Sequence, residues 1–132
     1  MNKHKVCIID DDSIFVYGTK ILLNYNKHFG DDILVFEDGQ EALDAFKNFL
    51  KSGEKFPYFI FLDLNMPVMD GWQFLDELGK LNLQNYPNIF LISSHFDDSL
   101  RAKAKAYEQV TELVEKPLSD AILQQLLLKF ST

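Results

Sequence analysis

The sequence predicts an α/β domain, a doubly wound parallel sheet of five strands with helices on both faces. Three observations point there. Five short apolar runs recur along the 132 residues. The runs do not alternate with polar residues, which is the pattern of parallel strands buried on both faces. Segments with helical spacing lie between them.

Taken in order, the first run is Val6-Cys7-Ile8-Ile9, and it ends in three carboxylates, Asp10, Asp11 and Asp12. The helix after it is unusually apolar: Ile14, Phe15, Val16, Tyr17, Ile21, Leu22 and Leu23 exceed a single stripe, so it faces either a large core or a partner. The second strand is Ile33 to Phe36. Asp38-Gly39 then opens a helix whose stripe is Ala42, Leu43, Ala45, Phe46, Phe49 and Leu50. Ser52-Gly53-Glu54 reads as a turn. The third strand, Tyr58 to Leu62, leads into Asp63, and Asp70-Gly71 opens the third helix with Trp72 as a packing anchor. The fourth strand, Ile89 to Ile92, is closed by Ser93 and Ser94. An Ala-rich basic helix carrying Arg101, Lys103 and Lys105 spans Ser99 to Tyr107. The fifth strand is read from Leu113-Val114 and is closed by Lys116-Pro117. Ser119-Asp120 opens a last helix with the stripe Ile122, Leu123, Leu126, Leu127 and Phe130.

Composition narrows the function classes. Hydrophobic content of 47% and charged content of 25% are those of one globular domain. Twelve Phe imply an aromatic core, and a net charge of -7 argues against binding a nucleic-acid backbone. The single Cys7 excludes an internal disulfide and fits a reducing compartment. No secretory signal is readable, and no run approaches the ~20 apolar residues of a membrane span. A cytoplasmic protein, a monomer or weak dimer, is expected. Met1 and the short tail Ser131-Thr132 read as the ends of one complete domain over residues 1–132 with no output domain.

The chemistry gathers at the strand ends. Ligands of open α/β sheets bind at the carboxyl edge where the strand order reverses. A sheet of order 2-1-3-4-5 would set the first and third strands side by side, and Asp10, Asp11 and Asp63 would then converge. Carboxylates this close either raise a pKa or recruit a cation, and hard oxygen ligands suit Mg²⁺. Asp12 and Ser13 serve equally well as caps of the first helix. Ser93 and Ser94 bring a hydroxyl and a backbone N–H to the same edge, and Lys116 brings a positive charge. Together these are a nucleophile, a divalent cation and donors for the oxygens of a phosphoryl group.

Four motifs in this order, Ile8-Ile9-Asp10-Asp11, Phe61-Leu62-Asp63-Leu64-Asn65-Met66-Pro67-Val68-Met69-Asp70-Gly71, Ile92-Ser93-Ser94 and Glu115-Lys116-Pro117, resemble the receiver domains of two-component response regulators, including the single-domain, CheY-like type. The resemblance covers essentially the whole chain and implies a flavodoxin-like fold. It implies that Asp63 accepts a phosphoryl group from a phosphohistidine of a sensor histidine kinase or a histidine phosphotransfer protein. It further implies that Asp11 binds Mg²⁺ directly, that Asp10 holds a water on the ion, and that the Asn65 carbonyl completes the protein ligands. Ser93 stands at the switch Ser/Thr and Lys116 at the lysine that pairs with a phosphoryl oxygen, with a cis bond before Pro117. Turnover is then limited to self-phosphorylation and autodephosphorylation, and the signal passes to a downstream protein rather than to nucleic acid or membrane.

Departures from the family pattern stand beside these matches. Leu113 replaces the usual Tyr or Phe, which disturbs the Ser/Thr–aromatic coupling but not the phosphorylation. Tyr107 to Glu112 lacks the common small-residue turn. His95 stands where the family tunes dephosphorylation, and an exposed loop histidine explains it as well. A phosphatase of the haloacid dehalogenase type needs an acid two residues after its nucleophile, and Asn65 cannot protonate a leaving group. A receiver that works by binding alone remains a competing class, kept open by Leu113.

Overall fold

The computed structural model describes residues 4–25 and 29–130; Met1, Ser131 and Thr132 lie outside them. Strands and helices alternate strictly. They are β1 (His4–Ile9), α1 (Ser13–Asn24), β2 (Phe29–Phe36), α2 (Gly39–Ser52), β3 (Phe59–Asp63), α3 (Gly71–Gly79), β4 (Asn88–Ser93), α4 (Asp98–Lys105), β5 (Val110–Glu115) and α5 (Asp120–Phe130). The strands form one sheet in the order β2-β1-β3-β4-β5, every neighbouring pair parallel. This is the parallel sheet that the apolar runs predict, in the flavodoxin-like arrangement that the resemblance implies.

Successive residues of a strand face opposite sides of the sheet, and this splits the apolar runs into two cores. Cys7, Ile9, Ile60, Leu62, Ile89 and Leu91 face the side covered by α2 and α3. Val6, Ile8, Phe59, Phe61, Phe90 and Ile92 face the side of α1 and α5. Phe46 anchors the first core with edge-on contacts to Phe36, Phe56 and Phe74 at 5.4–6.1 Å. It is fully buried, so truncating it to Ala would cost about 3–5 kcal/mol. Cys7 is likewise fully buried, and desolvation raises its thiol pKa far above the ordinary value despite the nearby Lys5 charge.

Carboxylates start the helices, as the Asp-Gly signals predict. Asp38 accepts from the Glu41 N–H, and Asp70 forms a full capping box with Gln73. Asp12 caps α1 through the N–H groups of Ile14 and Phe15, and the Ser119 hydroxyl accepts from the Ile122 N–H at the start of α5. The turn after α2 closes on Gly53 at φ 75°, the left-handed conformation in which glycine is at no disadvantage.

Boundaries differ from the sequence reading where polarity hides a strand. β5 runs from Val110, not Leu113, because Thr111 and Glu112 sit on an edge strand that is only half covered. The second half of the stretch Tyr107 to Glu112 is therefore strand, and Tyr107, Glu108 and Gln109 form the turn before it. β3 includes Asp63 rather than stopping before it, and α4 ends at Lys105. Trp72 is a packing anchor as expected: its ring lies 5.2 Å from that of Tyr107, and Lys103 Nζ lies 4.7 Å from it. Among the described residues, no helix is long and apolar enough to cross a membrane.

Candidate functional site

Strand register brings the acidic residues together. Ile9 pairs with Phe36 on one side and Leu62 on the other, so Asp10 emerges from β1 beside Asp63 at the end of β3. Asp63 pairs with Ile92, and Ser93 with Glu115, which lines up the ends of β4 and β5 on the same edge. Backbone bonds fasten the loops to that edge: Asp10 N–H to the Phe36 carbonyl at 2.9 Å, and Lys116 N–H to the Ser93 carbonyl at 2.8 Å.

One oxygen from each of Asp10, Asp11 and Asp63 lies within 4.8 Å of the others. Asp10 and Asp63 are buried, at 2% and 5% exposure, while Asp11 is open to solvent. Lys116 reaches over them, with Nζ at 3.0 Å from Asp10 Oδ2, 3.7 Å from Asp63 Oδ1 and 3.8 Å from Asp12 Oδ2. Even so, Asp10 Oδ2 accepts no hydrogen bond of good geometry. A buried carboxylate oxygen without an aligned donor, beside two more carboxylates, is an all-oxygen donor set that a hard divalent cation fits.

The electrostatics follow from this crowding. Burial, and next the Asp10 charge, push the Asp63 carboxyl up to about 7, against the opposing pull of Lys116 and the Asn65 backbone N–H. Burial alone would lower the Lys116 pKa, but the Asp10, Asp63 and Asp12 carboxylates more than offset it and leave it above the ordinary lysine value.

The remaining residues singled out by sequence take definite places. Asn65 is exposed, and its backbone N–H reaches the Asp63 carboxylate. Ser93 is buried, but its hydroxyl donates to the His95 carbonyl at 3.1 Å and accepts from the His95 N–H at 3.4 Å, so it is held by its own loop. The His95 residue is exposed, as is Ser94. Met66 and Met69 pack against the core. Leu113 is half-buried against the same core. The bond before Pro117 is cis. Gly71 touches the site from below: a Cβ there would lie 2.7 Å from the Asp63 carbonyl oxygen.

Two participants were not legible as such in the sequence. Asp12, which read as a cap, is both the cap of α1 and a third anion near Lys116. Phe15, which read as part of an apolar helix, lies under the Lys116 ammonium, 4.7 Å from ring centroid to Nζ. Its spacing along α1 gave no signal, because apolar residues surround it in sequence.

The family model for the response regulator receiver domain matches residues 6–128. This chain belongs to the response regulator receiver family. Among curated proteins the receiver domain is 28% identical over 123 residues to an uncharacterized response regulatory protein of Staphylococcus epidermidis, covering 93% of this chain and 45% of that protein. The transcriptional regulatory protein HptR of Staphylococcus aureus is also 28% identical, over 93% of this chain and 44% of its own length. The chain thus spans less than half the length of these relatives. Among solved structures, a two-component response regulator from Cytophaga hutchinsonii superimposes with a TM-score of 0.84 at 30% identity, covering 98% of each chain. The chemotaxis protein CheY4 of Vibrio cholerae, 22% identical with a TM-score of 0.78 over 98% of this chain and 99% of that one, shares the fold. A receiver domain is a signalling module of two-component systems that interacts with histidine kinases or phosphotransfer proteins.

Proposed function

We propose that Asp63 of this receiver domain accepts a phosphoryl group from a phosphohistidine of a sensor histidine kinase or histidine phosphotransfer protein, in a Mg²⁺-dependent step. The observation that carries the reading is the convergence of the Asp10, Asp11 and Asp63 oxygens within 4.8 Å, with Lys116 Nζ 3.7 Å from Asp63.

In this reading an Asp63 carboxylate oxygen forms a bond to phosphorus as the bond from phosphorus to the imidazole nitrogen breaks. The electron pair leaves with the imidazole, whose other ring nitrogen already carries a proton in the donor, so it departs as neutral histidine and Asp63 becomes an acyl phosphate. Asp63 must be ionised to attack, and a carboxyl held near 7 is only partly so at neutral pH. Asp11, Asp63 and the Asn65 carbonyl would hold Mg²⁺, with Asp10 holding a water on the ion. When bound, Mg²⁺ supplies the positive charge that favours the ionised Asp63 and neutralises phosphoryl oxygens. Lys116 pairs with one phosphoryl oxygen, and Ser93 donates its hydroxyl to another once it leaves the His95 carbonyl.

Exposed apolar residues on α1 support a protein donor. Ile14 is 84% and Tyr17 70% exposed, and with Ile21 and Tyr25 they form a stripe at helical spacing beside the acidic pocket. A groove of about 560 Å³ lined by Ile14, Gly18, Ile21, Leu22 and Leu118 runs from this stripe to Lys116. A partner helix carrying the phosphohistidine fits such a surface. The output is a contact with a downstream protein in the cytoplasm. With Leu113 in place of a ring, it proceeds without rotation of an aromatic side chain.

Intact-protein mass after incubation with acetyl phosphate tests the reading, with and without Mg²⁺, on wild type and Asp63→Asn. A Mg²⁺-dependent gain of one phosphoryl group, absent in Asp63→Asn, is expected. Full labelling of Asp63→Asn would overturn the assignment of the acceptor. If neither acetyl phosphate nor a phosphohistidine protein labels the wild type, the domain works by binding alone.

A further inference from the structure

Lys116 has a long flexible stem, and three carboxylates surround its ammonium without giving it an aligned bond to Asp10 Oδ2. Besides these charges, the ammonium has one uncharged contact. Its Nζ lies 4.7 Å from the centre of the Phe15 ring, inside the ~6 Å range in which a ring face attracts a cation. The other cation–ring contacts, of Lys5, Arg101, Lys103 and Lys129, pair with Phe49, Phe96, Trp72 and Phe130, none of them among the carboxylates of the acidic pocket.

We propose that Phe15 is a positioning residue for Lys116, holding the ammonium over the acidic pocket by a cation–π contact. This rests on the reading of Lys116 as the group that pairs with a phosphoryl oxygen. The ring is itself well fixed. Phe15 is nearly buried, and it belongs to the same core face as Leu118, Leu123 and Phe61. Its N–H donates to the Asp12 carboxylate at 3.2 Å, so the cap that starts α1 also sets where the ring stands.

A ring does what the carboxylates cannot. Asp10 and Asp12 draw the ammonium by charge, and that attraction fades when a cation neutralises the pocket. The ring quadrupole remains, and it offers no competing acceptor for the phosphoryl oxygens that Lys116 has to meet. The ammonium is therefore kept near Asp63 in both charge states of the pocket.

The test compares wild type with two variants of the full chain. Phe15→Leu keeps an apolar side chain and removes the ring. Phe15→pentafluorophenylalanine keeps the ring and its packing but reverses its quadrupole. Labelling by acetyl phosphate with saturating Mg²⁺ is expected to slow about three- to tenfold in both. The side-chain resonances of Lys116, displaced by the ring current in the wild type, are expected to move toward ordinary lysine values in Phe15→Leu. Wild-type labelling in the pentafluoro variant would overturn the proposal, because the ring would then act by bulk alone. Unmoved Lys116 resonances in Phe15→Leu would overturn it as well. Should the wild type take no label from acetyl phosphate or from a phosphohistidine protein, the proposed phosphoacceptor role fails, and the resonances still decide for or against the contact.

Discussion

The Lys116 ammonium stands closer to Asp10 Oδ2, at 3.0 Å, than to Asp63 Oδ1, at 3.7 Å. The cation of this pocket is thus shared between two buried acids from neighbouring strands, and removing it exposes both to each other. Breaking a buried pair by deleting one partner costs about 3–5 kcal/mol, and partial solvent access to Lys116 places Lys116→Met near the lower end. The midpoint of urea unfolding in EDTA is expected to fall, and the double variant Asp10→Asn, Lys116→Met to recover much of the loss. A double variant no more stable than Lys116→Met would refute the pairing.

The acid pair also predicts how stability depends on pH. In the native state the Asp63 carboxyl is raised from 3.8 to about 7, chiefly by burial. Between these values the native state holds a proton that the unfolded chain releases, so stability is lost as pH rises through that window. In EDTA, wild type should lose melting temperature between pH about 4 and about 7 relative to Asp63→Asn. The variant should melt a few degrees higher at the upper end, since ~1 kcal/mol moves a domain of this size by roughly 4 °C. Parallel curves for the two proteins would rule the effect out. Adding Mg²⁺ should narrow the gap from the wild-type side.

Two glycines should respond to alanine with opposite signs. A Cβ on Gly71 meets the Asp63 carbonyl oxygen at 2.7 Å and Leu64 Cα at 3.0 Å, both backbone atoms that cannot swing aside. Gly71→Ala is expected to cost about 1–3 kcal/mol and to slow labelling of Asp63. Gly18 lies inside α1 with no atom within 4 Å of the added carbon, so Gly18→Ala should stabilise by roughly 0.5–1 kcal/mol. Thermal unfolding of both variants checks the pair, and equal signs would contradict the packing described.

Strain in the loop after β3 is concentrated at Val68. It sits at φ 66° while the Met69 N–H closes a three-residue turn onto the Pro67 carbonyl at 2.7 Å. A β-branched residue in this region is strained by about 1–3 kcal/mol. Val68 is 80% exposed, so Val68→Gly loses little packing. After about 0.5–1 kcal/mol for the added freedom of the unfolded chain, a net gain of about 1 kcal/mol is expected. Loss of melting temperature in Val68→Gly would show that the side chain has a contact outweighing the strain.

How much of this was readable in advance depended on burial. The three central strands β1, β3 and β4 carry unbroken apolar runs because both their faces are covered, and their parallel pairing followed from the alternation with helices. The edge strands extend beyond their apolar runs: β5 includes the polar Thr111 and Glu112, and β2 begins at Phe29 ahead of the polar Asp31 and Asp32. The acids of the pocket were legible because strand ends put Asp10, Asp11 and Asp63 at one edge, a consequence of topology alone. The contact of Phe15 with Lys116, 101 positions apart in sequence numbering, was not, because it depends on the rotation of α1 about its axis. The Ser93 hydroxyl turned to His95 is a rotamer choice, and no residue pattern encodes it.

Cys7 has a consequence for measuring the protein in crude mixtures. It is the sole cysteine, fully buried in a strand paired on both sides. A thiol-alkylating reagent can reach it only when the sheet itself opens. When reclosing outpaces alkylation, the rate of mass gain reports the equilibrium population of the open chain. Each molecule therefore carries an internal clock for global opening. Run with and without Mg²⁺ or a phosphodonor, that clock would rank ligands by how much they slow it, in a lysate and without a label.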